Sequence, residues 1–141
     1  MKIDSREFNI LELLTPKSAT QFLVEKTTIR QALEKFDYHK FTVVPIISTH
    51  GEYITSISEG DILRFIKKQG DFDILKTNNI NILDIDHYRA YNAVTIGASF
   101  EDIYQLILSQ NFVPVMDDRN KFIGIIKRRA VLEYLMKFLN D

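Results

Sequence analysis

Apolar residues follow two spacings along this chain: short continuous runs, and repeats of three or four positions. Runs rich in Val, Ile and Phe are typical of strands, whereas the wider spacing places apolar side chains on one face of a helix. The runs predict strands over residues 21–24, 41–47, 52–57, 93–96, 112–116 and 122–126. The wider spacing predicts helices opened by Thr27-Thr28, Ser58 and Ser99, and a last helix from Val131 onward.

Prolines and polar turns mark where these elements end. An amphipathic stretch within residues 1–15 predicts a short helix that ends before Pro16, and a polar connection follows it. Pro45 lies inside a strand, which predicts an edge strand or a bulge. Turn residues at 48–51 and 117–120 separate adjacent strands, so two hairpins are predicted.

The order of elements occurs twice. One offset of 69 residues relates Pro45 to Pro114 and Ile62 to Val131. The economical interpretation is an α+β fold with two copies of a β-α-β-β-α unit, each with an apolar sheet face that needs cover. The copies are therefore expected to pack on each other. The predicted boundaries are residues 8–69 for the first repeat, 70–80 for a polar connector and 81–139 for the second repeat.

Composition narrows the classes of protein that the chain can represent. The 141 residues carry a net charge of −1, which argues against a general nucleic-acid binder because such a protein needs a basic excess. The absence of cysteine excludes disulfides and thiolate metal sites. No apolar run approaches the ~18 residues that span a membrane, and the first residues lack the apolar core of a secretion signal. We expect a cytoplasmic protein whose partners include neither nucleic acid nor membrane.

Three consecutive cations, Lys127, Arg128 and Arg129, stand between the last strand and the last helix. The amino end of a helix carries partial positive charge and unpaired N–H groups, so it favours Ser, Asp or Glu. Cations at this position cost stability unless an anion lies among them. The turn is therefore predicted to bind a phosphate-bearing ligand. The alternative is a solvated pair of arginines at a helix end.

The rest of the sequence carries no motif for catalysis or metal binding. His39, His50 and His87 are scattered and lack the spacing of metal ligands, such as His at i and i+4. Asp117-Asp118 is most simply a turn, and no glycine-rich phosphate loop or nucleophile elbow is present. We therefore expect neither an enzyme nor a metalloprotein, and no cofactor.

The strands and turns together resemble the CBS domain pair, also called a Bateman module. The resemblance is carried by the Val-Pro strands, residues 43–46 and 112–115, and by the strand-to-helix turns at 54–63 and 123–132. It implies two repeats related by a pseudo-two-fold axis, no catalysis, and clefts that hold adenosine-containing ligands. More narrowly, the chain is similar to small stand-alone bacterial CBS-pair proteins that bind cyclic di-AMP.

The resemblance implies two unlike clefts, each built from both repeats. The first is expected to bind cyclic di-AMP through Lys17, Ala19, Phe41, Thr42, Val43, Lys127, Arg128 and Arg129. Backbone groups near Ala19 and Val43 would bind an adenine edge. Phe41 would stack on a base, and Thr42 would bind phosphate or ribose. The arginines would grip phosphate oxygens, with Lys17 as an added charge. The simpler alternatives are an exposed lysine at 17, core packing at 41 and a plain strand residue at 42.

The second cleft is expected at the other strand-to-helix turn, with Ser58, Asp61, Arg89, Phe112 and Val113. Ser58 and Asp61 keep the family's pattern of a hydroxyl residue and then an aspartate, which would hold ribose hydroxyls. An ordinary helix cap explains the same two residues. Glu59 and Asp61 would repel phosphate, and only Arg89 offsets them. The second repeat lacks both residues of the pattern, which disfavours an AMP or ATP mode in the first cleft.

The main hypothesis is a regulatory protein that senses cyclic di-AMP and changes which client proteins it binds. An AMP or ATP energy sensor that uses Asp61 is the alternative among nucleotide binders, and a ligand-free assembly module is the alternative of another class. The resemblance also implies a homodimer formed through helices. The apolar helix faces at residues 62–66 and 131–139 are candidate contacts.

Overall fold

The computed structural model describes residues 8–39, 42–70, 74–87 and 91–140. The α-helices in these ranges are α1 (Ile29–His39), α2 (Glu59–Gln69), α3 (Phe100–Ile107) and α4 (Arg128–Leu139). The strands are β1 (Leu14–Pro16), β2 (Leu23–Val24), β3 (Val43–Ile47), β4 (Tyr53–Ser58), β5 (Val94–Thr95), β6 (Phe112–Met116) and β7 (Phe122–Lys127). Short 3-10 helices lie at Ile10–Glu12, Lys17–Ala19, Ile74–Asn79 and Ile82–Asp84. The predicted α+β class is confirmed. None of the described helices is both long and apolar enough to cross a membrane.

The described residues divide into two compact units that differ from the two sequence repeats. Residues 8–20 and 91–140 form the terminal unit, and residues 21–87 form the central unit. The N-terminal segment therefore packs with the second repeat, although it belongs with the first repeat in sequence. The repeat boundaries given above describe sequence periodicity and stay a prediction.

In the central unit, α1 and α2 pack on a three-stranded sheet in the order β2-β3-β4. β2 pairs with β3 in parallel, and β3 and β4 form the first predicted hairpin. Thr28 Oγ1 accepts from the N–H of Gln31 at 3.2 Å, and Gln31 Oε1 accepts from the N–H of Thr28 at 3.0 Å, so the predicted cap of α1 is confirmed. The buried core of this unit consists of Leu23, Ile29, Ala32, Phe36, Val44, Ile46, Ile57, Ile62, Ile82 and Ile85.

The terminal unit contains a four-stranded sheet in the order β1-β7-β6-β5, against which α3 and α4 pack. β5 pairs with β6 in parallel, and β6 and β7 form the second predicted hairpin. The apolar face predicted for α3 is buried, as expected from its helical spacing. The buried core of this unit consists of Ile10, Leu13, Phe100, Ile103, Ile107, Val113, Val115, Ile126 and Val131.

Pro45 lies in the middle strand of its sheet, so the prediction of an edge strand is wrong. Among the described strands, β2 pairs with Ile46 and Ile47, which leaves only β4 beside Pro45. The missing N–H of the proline therefore removes no hydrogen bond to β2. The register of β3 and β4 does shift between Ile46 and Ile47, but the extra residue is Ile54 of β4, so the proline itself lies in regular pairing. Pro114 in β6 has equivalent surroundings.

The N-terminal segment also differs from its prediction. A 3-10 turn at Ile10–Glu12 and then β1 replace the single helix that was expected to end before Pro16, and the proline itself lies in β1. β1 runs antiparallel to β7, with Pro16 opposite Gly124. Pairing with this distant strand overrides the local helical spacing, because strand formation depends on the neighbouring strand more than on local propensity.

Gly124 allows β1 to lie against β7. Its φ is +153°, a backbone conformation that residues with a side chain rarely adopt. A Cβ at this position would overlap the backbone oxygen of Thr15 and lie 3.0 Å from Pro16 Cα. The glycine therefore determines where β1 lies along β7, and with it the start of the Lys17–Ala19 turn.

Candidate functional site

Three of the described helices begin with a capping box: α1 with Thr28 and Gln31, as given above, and α2 and α3 with Ser and Asp. Ser58 Oγ accepts from the N–H of Asp61 at 3.1 Å, and the Asp61 carboxylate accepts from the N–H of Ser58 at 2.9 Å. Ser99 and Asp102 make the same pair of bonds at the start of α3, at 3.1 and 3.3 Å. Each box satisfies N–H groups that have no partner within the helix. These starts are the reference for judging α4.

The start of α4 has the opposite chemistry. Lys127 occupies the N-cap position with φ −78° and ψ 146°, its side chain makes no capping hydrogen bond, and the first turn contains no acidic residue. Arg128 and Arg129 follow as the first two helical residues, so the helix begins three residues before the start predicted at Val131. The prediction that the cations stand at a helix amino end is thus confirmed. The positive side chains and the helix dipole both favour an anion here.

Arg128 turns back onto its own unit. Its Nε donates to the carbonyl of Ile107 at 2.9 Å, and its Nη2 donates to the carbonyl of Gln110 at 2.9 Å. Its backbone N–H donates to Asn111 at 3.2 Å. These carbonyls lie at and just after the end of α3, where helical C=O groups lack partners and positive charge is favourable. One edge of the guanidinium group is therefore occupied by the protein itself.

Arg129 points away from the protein. Its side chain is 88% exposed, and its Nε donates to Glu133 Oε1 at 2.8 Å, one helical turn further along α4. An exposed pair of this spacing contributes little stability, about 0.3–0.5 kcal/mol. The side chain can therefore exchange Glu133 for a more strongly charged ligand at small cost. Lys127 is also exposed.

The predicted residues of the N-terminal segment lie in the same unit as this turn. Lys17 and Ala19 form a 3-10 turn directly after β1, with Lys17 half-buried and Ala19 exposed. Because Pro16 lies opposite Gly124, the turn lies beside the first half of β7, about 10 Å along the strand from Lys127 at ~3.3 Å per residue. The structure thus brings both groups to one sheet, at different points along β7.

Thr42 and Val43 belong to the central unit. Thr42 is exposed, its carbonyl accepts from the N–H of Glu59 at 3.1 Å, and the half-buried Val43 lies opposite Ser58. Within this unit they therefore adjoin the start of α2. Phe41, the predicted stacking residue, lies outside the described residues.

The residues predicted for the second cleft are largely accounted for by the fold. Asp61 is 3% exposed, and its carboxylate binds the N–H of Ser58 and the guanidinium of Arg64. The cavity beside it has a volume of about 160 Å³, below the ~300–1,000 Å³ of usual ligand pockets. In the terminal unit, Phe112 and Val113 are buried. Arg89 lies outside the described residues.

Sequence reasoning missed the partners that hold these side chains. The pairing of Arg129 with Glu133 has a readable signal, since opposite charges at i and i+4 are neighbours on a helix. The inward turn of Arg128 has none, because its acceptors are backbone carbonyls of a distant segment. Among the residues that the structure describes, no group of three or more His, Asp or Glu could hold a metal ion.

Two half-buried carboxyl groups outside this site have lowered pKa values. Hydrogen bonding from Thr49, chiefly from its N–H at 3.0 Å, lowers the pKa of Glu25. Hydrogen bonding from the backbone N–H of Lys121 lowers the pKa of Asp117, with a smaller contribution from the N–H of Arg119. Both carboxylates stabilise hairpin turns, as predicted for the polar residues at 117–120.

Solved structures share this architecture. One is a CbpB in complex with cyclic di-AMP, with a TM-score of 0.82, 22% identity, and coverage of 95% of this chain and 88% of that one. A second is the CbpB of Listeria monocytogenes, also in complex with cyclic di-AMP, with a TM-score of 0.79, 18% identity, and coverage of 92% and 96%. A third is CBSX2 in complex with AMP, with a TM-score of 0.70, 21% identity, and coverage of 93% and 98%. At these identities the similarity shows a shared fold.

The sequence comparisons are more specific about the family. No sequence among the curated proteins is significantly similar to this chain. The family model of the CBS domain, however, matches the chain twice, over residues 18–68 and 88–137. These two matches cover most of the chain and confirm the predicted pair of repeats. The protein therefore belongs to the CBS domain family and carries two CBS repeats.

Proposed function

We propose that this protein is a non-catalytic regulatory protein that binds cyclic di-AMP at the start of α4 and thereby changes its association with client proteins. The observation that carries the proposal is a helix start with three consecutive cations and no side-chain cap. The starts of α2 and α3 use Ser and Asp instead, and that of α1 uses Thr and Gln. A diester with two negative charges would neutralise the cations and accept hydrogen bonds from the N–H groups of the first turn.

Lys17 and Ala19 are the other predicted ligand residues of the terminal unit. Lys17 and Ala19 lie on the sheet of the terminal unit, next to β7. We propose that they contact the adenine end of the ligand. The roles predicted for Phe41, Thr42 and Val43 stay predictions. We also propose that the protein acts in the cytoplasm.

Two arguments favour cyclic di-AMP over AMP or ATP. The solved structures that share this fold include two CbpB proteins in complex with cyclic di-AMP. In addition, the carboxylate of Asp61, which an AMP or ATP mode would use for ribose, is buried and already bound to Ser58 and Arg64. Freeing it would break a buried charged network, which typically costs several kcal/mol.

Isothermal titration calorimetry with purified protein tests the proposal directly. Cyclic di-AMP should give saturable heat, while AMP and ATP should bind more weakly. Arg129→Ala should weaken binding by about 1.5–3 kcal/mol, because a charged hydrogen bond to phosphate is lost. Arg119→Ala is the matched control, since it removes another exposed arginine of the same unit from the β6–β7 turn. Absence of heat with cyclic di-AMP, together with clear binding of AMP or ATP, would refute the proposal.

The AMP-bound structure of CBSX2 supports a second candidate, an AMP or ATP sensor that uses the start of α2. Asp61→Asn separates the two candidates, because it keeps the side-chain shape and removes the charge. If the first candidate holds, the variant should leave the affinity for cyclic di-AMP unchanged. If the second candidate holds, the variant should abolish AMP binding. A ligand-free assembly module, the third candidate, predicts no rise in melting temperature with any nucleotide, because a specific binder raises it by mass action.

We also propose a homodimer formed through helices. Leu132, Met136 and Leu139 are about half exposed and lie along one side of α4, and Leu63 is similarly exposed on α2. Apolar side chains in such an arrangement typically mark a contact surface. Sedimentation equilibrium of wild-type protein and of Leu132→Glu tests this, since the charged variant should shift the dimer toward monomer.

A further inference from the structure

Gln110 is a buried polar residue that the proposed site does not use. It follows α3, it is 4% exposed, and its side-chain amide is fully engaged. Its Oε1 accepts from the N–H of Asn92 at 2.8 Å, and its Nε2 donates to the carbonyls of Asn92 and Phe112, both at 3.1 Å. The amide therefore ties the segment before β5 to the first residue of β6. A buried amide with all these bonds fixes its own backbone tightly.

Arg128 binds the same backbone segment, residues 110 and 111, that the side chain of Gln110 holds in place. Arg128 Nη2 donates to the carbonyl of Gln110, and the neighbouring Asn111 accepts from the N–H of Arg128. Asn111 in turn donates its N–H to the hydroxyl of Tyr91 at 3.1 Å. The start of α4 is therefore bonded to the end of α3 at several points, all within the terminal unit.

This geometry separates the roles of the two adjacent arginines. The edge of a guanidinium group formed by Nε and one Nη is an edge with which arginine grips an anion in a bidentate manner. In Arg128 that edge holds two backbone carbonyls, whereas in Arg129 only an exposed glutamate is bound. An arginine committed to carbonyls aligns its neighbours, and an exposed one is available to a ligand.

We infer that Gln110 and Arg128 form a brace that positions the first turn of α4, so that Arg129 and Lys127 make the contacts to the ligand's phosphates. Gln110 and Arg128 are then positioning residues. The inference rests on the proposed function for the identity of the ligand, but the brace itself exists without ligand.

Lysine substitutions at the two arginines test the division of roles by calorimetry with cyclic di-AMP. Lysine keeps the charge and loses the planar fork that spans two carbonyls. Arg128→Lys should therefore lose nearly as much affinity as Arg128→Ala, roughly tenfold. Arg129→Lys should retain clearly more affinity than Arg129→Ala. If Arg128→Lys binds as wild type does while Arg128→Ala is weakened, Arg128 acts as a charge on the ligand and the brace is wrong.

Gln110→Met is the second variant, since it keeps the size and neutrality of the side chain and removes its hydrogen bonds. Its affinity should fall, while the slope of log Kd against log salt stays unchanged because no charge is lost. In the double variant of Gln110→Met and Arg128→Lys, the loss of affinity should be smaller than the sum of the two single losses, because both substitutions release the same brace. In the double variant of Gln110→Met and Arg129→Ala, the two losses should add. Additive losses in the first pair would contradict the inference.

Hydrogen exchange without ligand makes failure of the brace distinguishable from failure of the proposed function. The N–H of Arg128 should exchange faster in Gln110→Met and Arg128→Lys than in wild type. The N–H of Asp102, which is capped by Ser99 on the opposite end of α3, should stay unchanged as an internal reference. Unchanged exchange at Arg128 refutes the brace even where cyclic di-AMP binds. Faster exchange in a protein that binds no cyclic di-AMP establishes the brace and refutes the proposed function.

Discussion

Replacing Lys127 by serine should raise stability and lower ligand affinity at the same time. Lys127 is the N-cap of α4 and makes no capping hydrogen bond with its side chain. Serine holds the corresponding position in α2 and α3, where its hydroxyl accepts from the N–H three residues later. Lys127→Ser therefore installs the device that the protein uses at two other helices.

The size of the stability gain follows from two contributions. Removing a cation from a helix amino end is worth about 0.3–1 kcal/mol, and a serine cap is worth about 0.5–2 kcal/mol relative to alanine. For a chain of this length, each kcal/mol shifts the melting temperature by about 3–5 °C. The two contributions sum to about 0.8–3 kcal/mol, so we expect Lys127→Ser to melt about 2–15 °C above wild type. Lys127→Ala, which removes the charge and adds no cap, should gain less.

The same two variants should bind cyclic di-AMP equally poorly, because each loses a cation next to phosphate. The expected loss is roughly 10–100-fold, the equivalent of ~1.5–3 kcal/mol for a charged hydrogen bond. Thermal unfolding followed by circular dichroism gives the stability, and calorimetry gives the affinity. A Lys127→Ser protein that melts no higher than Lys127→Ala would refute the argument about the missing cap. Wild-type affinity in both variants would remove Lys127 from the site.

Three further predictions concern the fold and its assembly. Gly124→Ala should destabilise the protein by roughly 2–4 kcal/mol, because the new Cβ would overlap the backbone of β1 and alanine would be strained at a φ of +153°. Gly97→Ala is the control, and because Gly97 has open space around it, the melting temperature should change little. The pKa of Glu25 is lowered in the folded protein, so its stabilising effect is complete above the unfolded-state pKa of 4.5 and is lost as pH falls through the folded-state pKa. In Glu25→Gln the melting temperature should therefore fall less steeply as the pH is lowered below 4.5. A pH profile identical to that of wild type would contradict this. Leu132→Glu should give a monomer in sedimentation, and a persistent dimer would exclude this face of α4.

Local chemistry made several elements of the fold predictable. Ser58 and Ser99 identify helix starts because their hydroxyls satisfy nearby N–H groups, a requirement that involves only residues three positions apart. The hairpins follow from apolar runs on either side of turn residues such as those at 117–120. The candidate cation turn was found by its departure from the same rule.

Long-range partners explain what the sequence left undetermined. Residues 8–14 have a helical apolar spacing that continues up to β1, and the pairing of β1 with β7 is what ends it in a strand. Arg128 reads as a ligand-facing residue until the carbonyls at the end of α3 are in view. Asp61 reads as a ribose-binding residue, although its carboxylate is buried against Arg64. In each case the deciding contact is absent from the local motif that suggested the role.

The pairing of β1 with β7 has a practical consequence for anyone who wishes to transplant the second repeat. A fragment that starts at residue 81 would lack β1, so β7 would become an unpaired edge strand, and Gly124 in this strand has no side chain to cover its backbone. Unpaired edge strands pair with strands of other molecules and promote aggregation. A fragment meant to fold alone therefore has to include residues 8–20 as well as the second repeat, for instance with residues 8–20 joined by a flexible linker to residue 91.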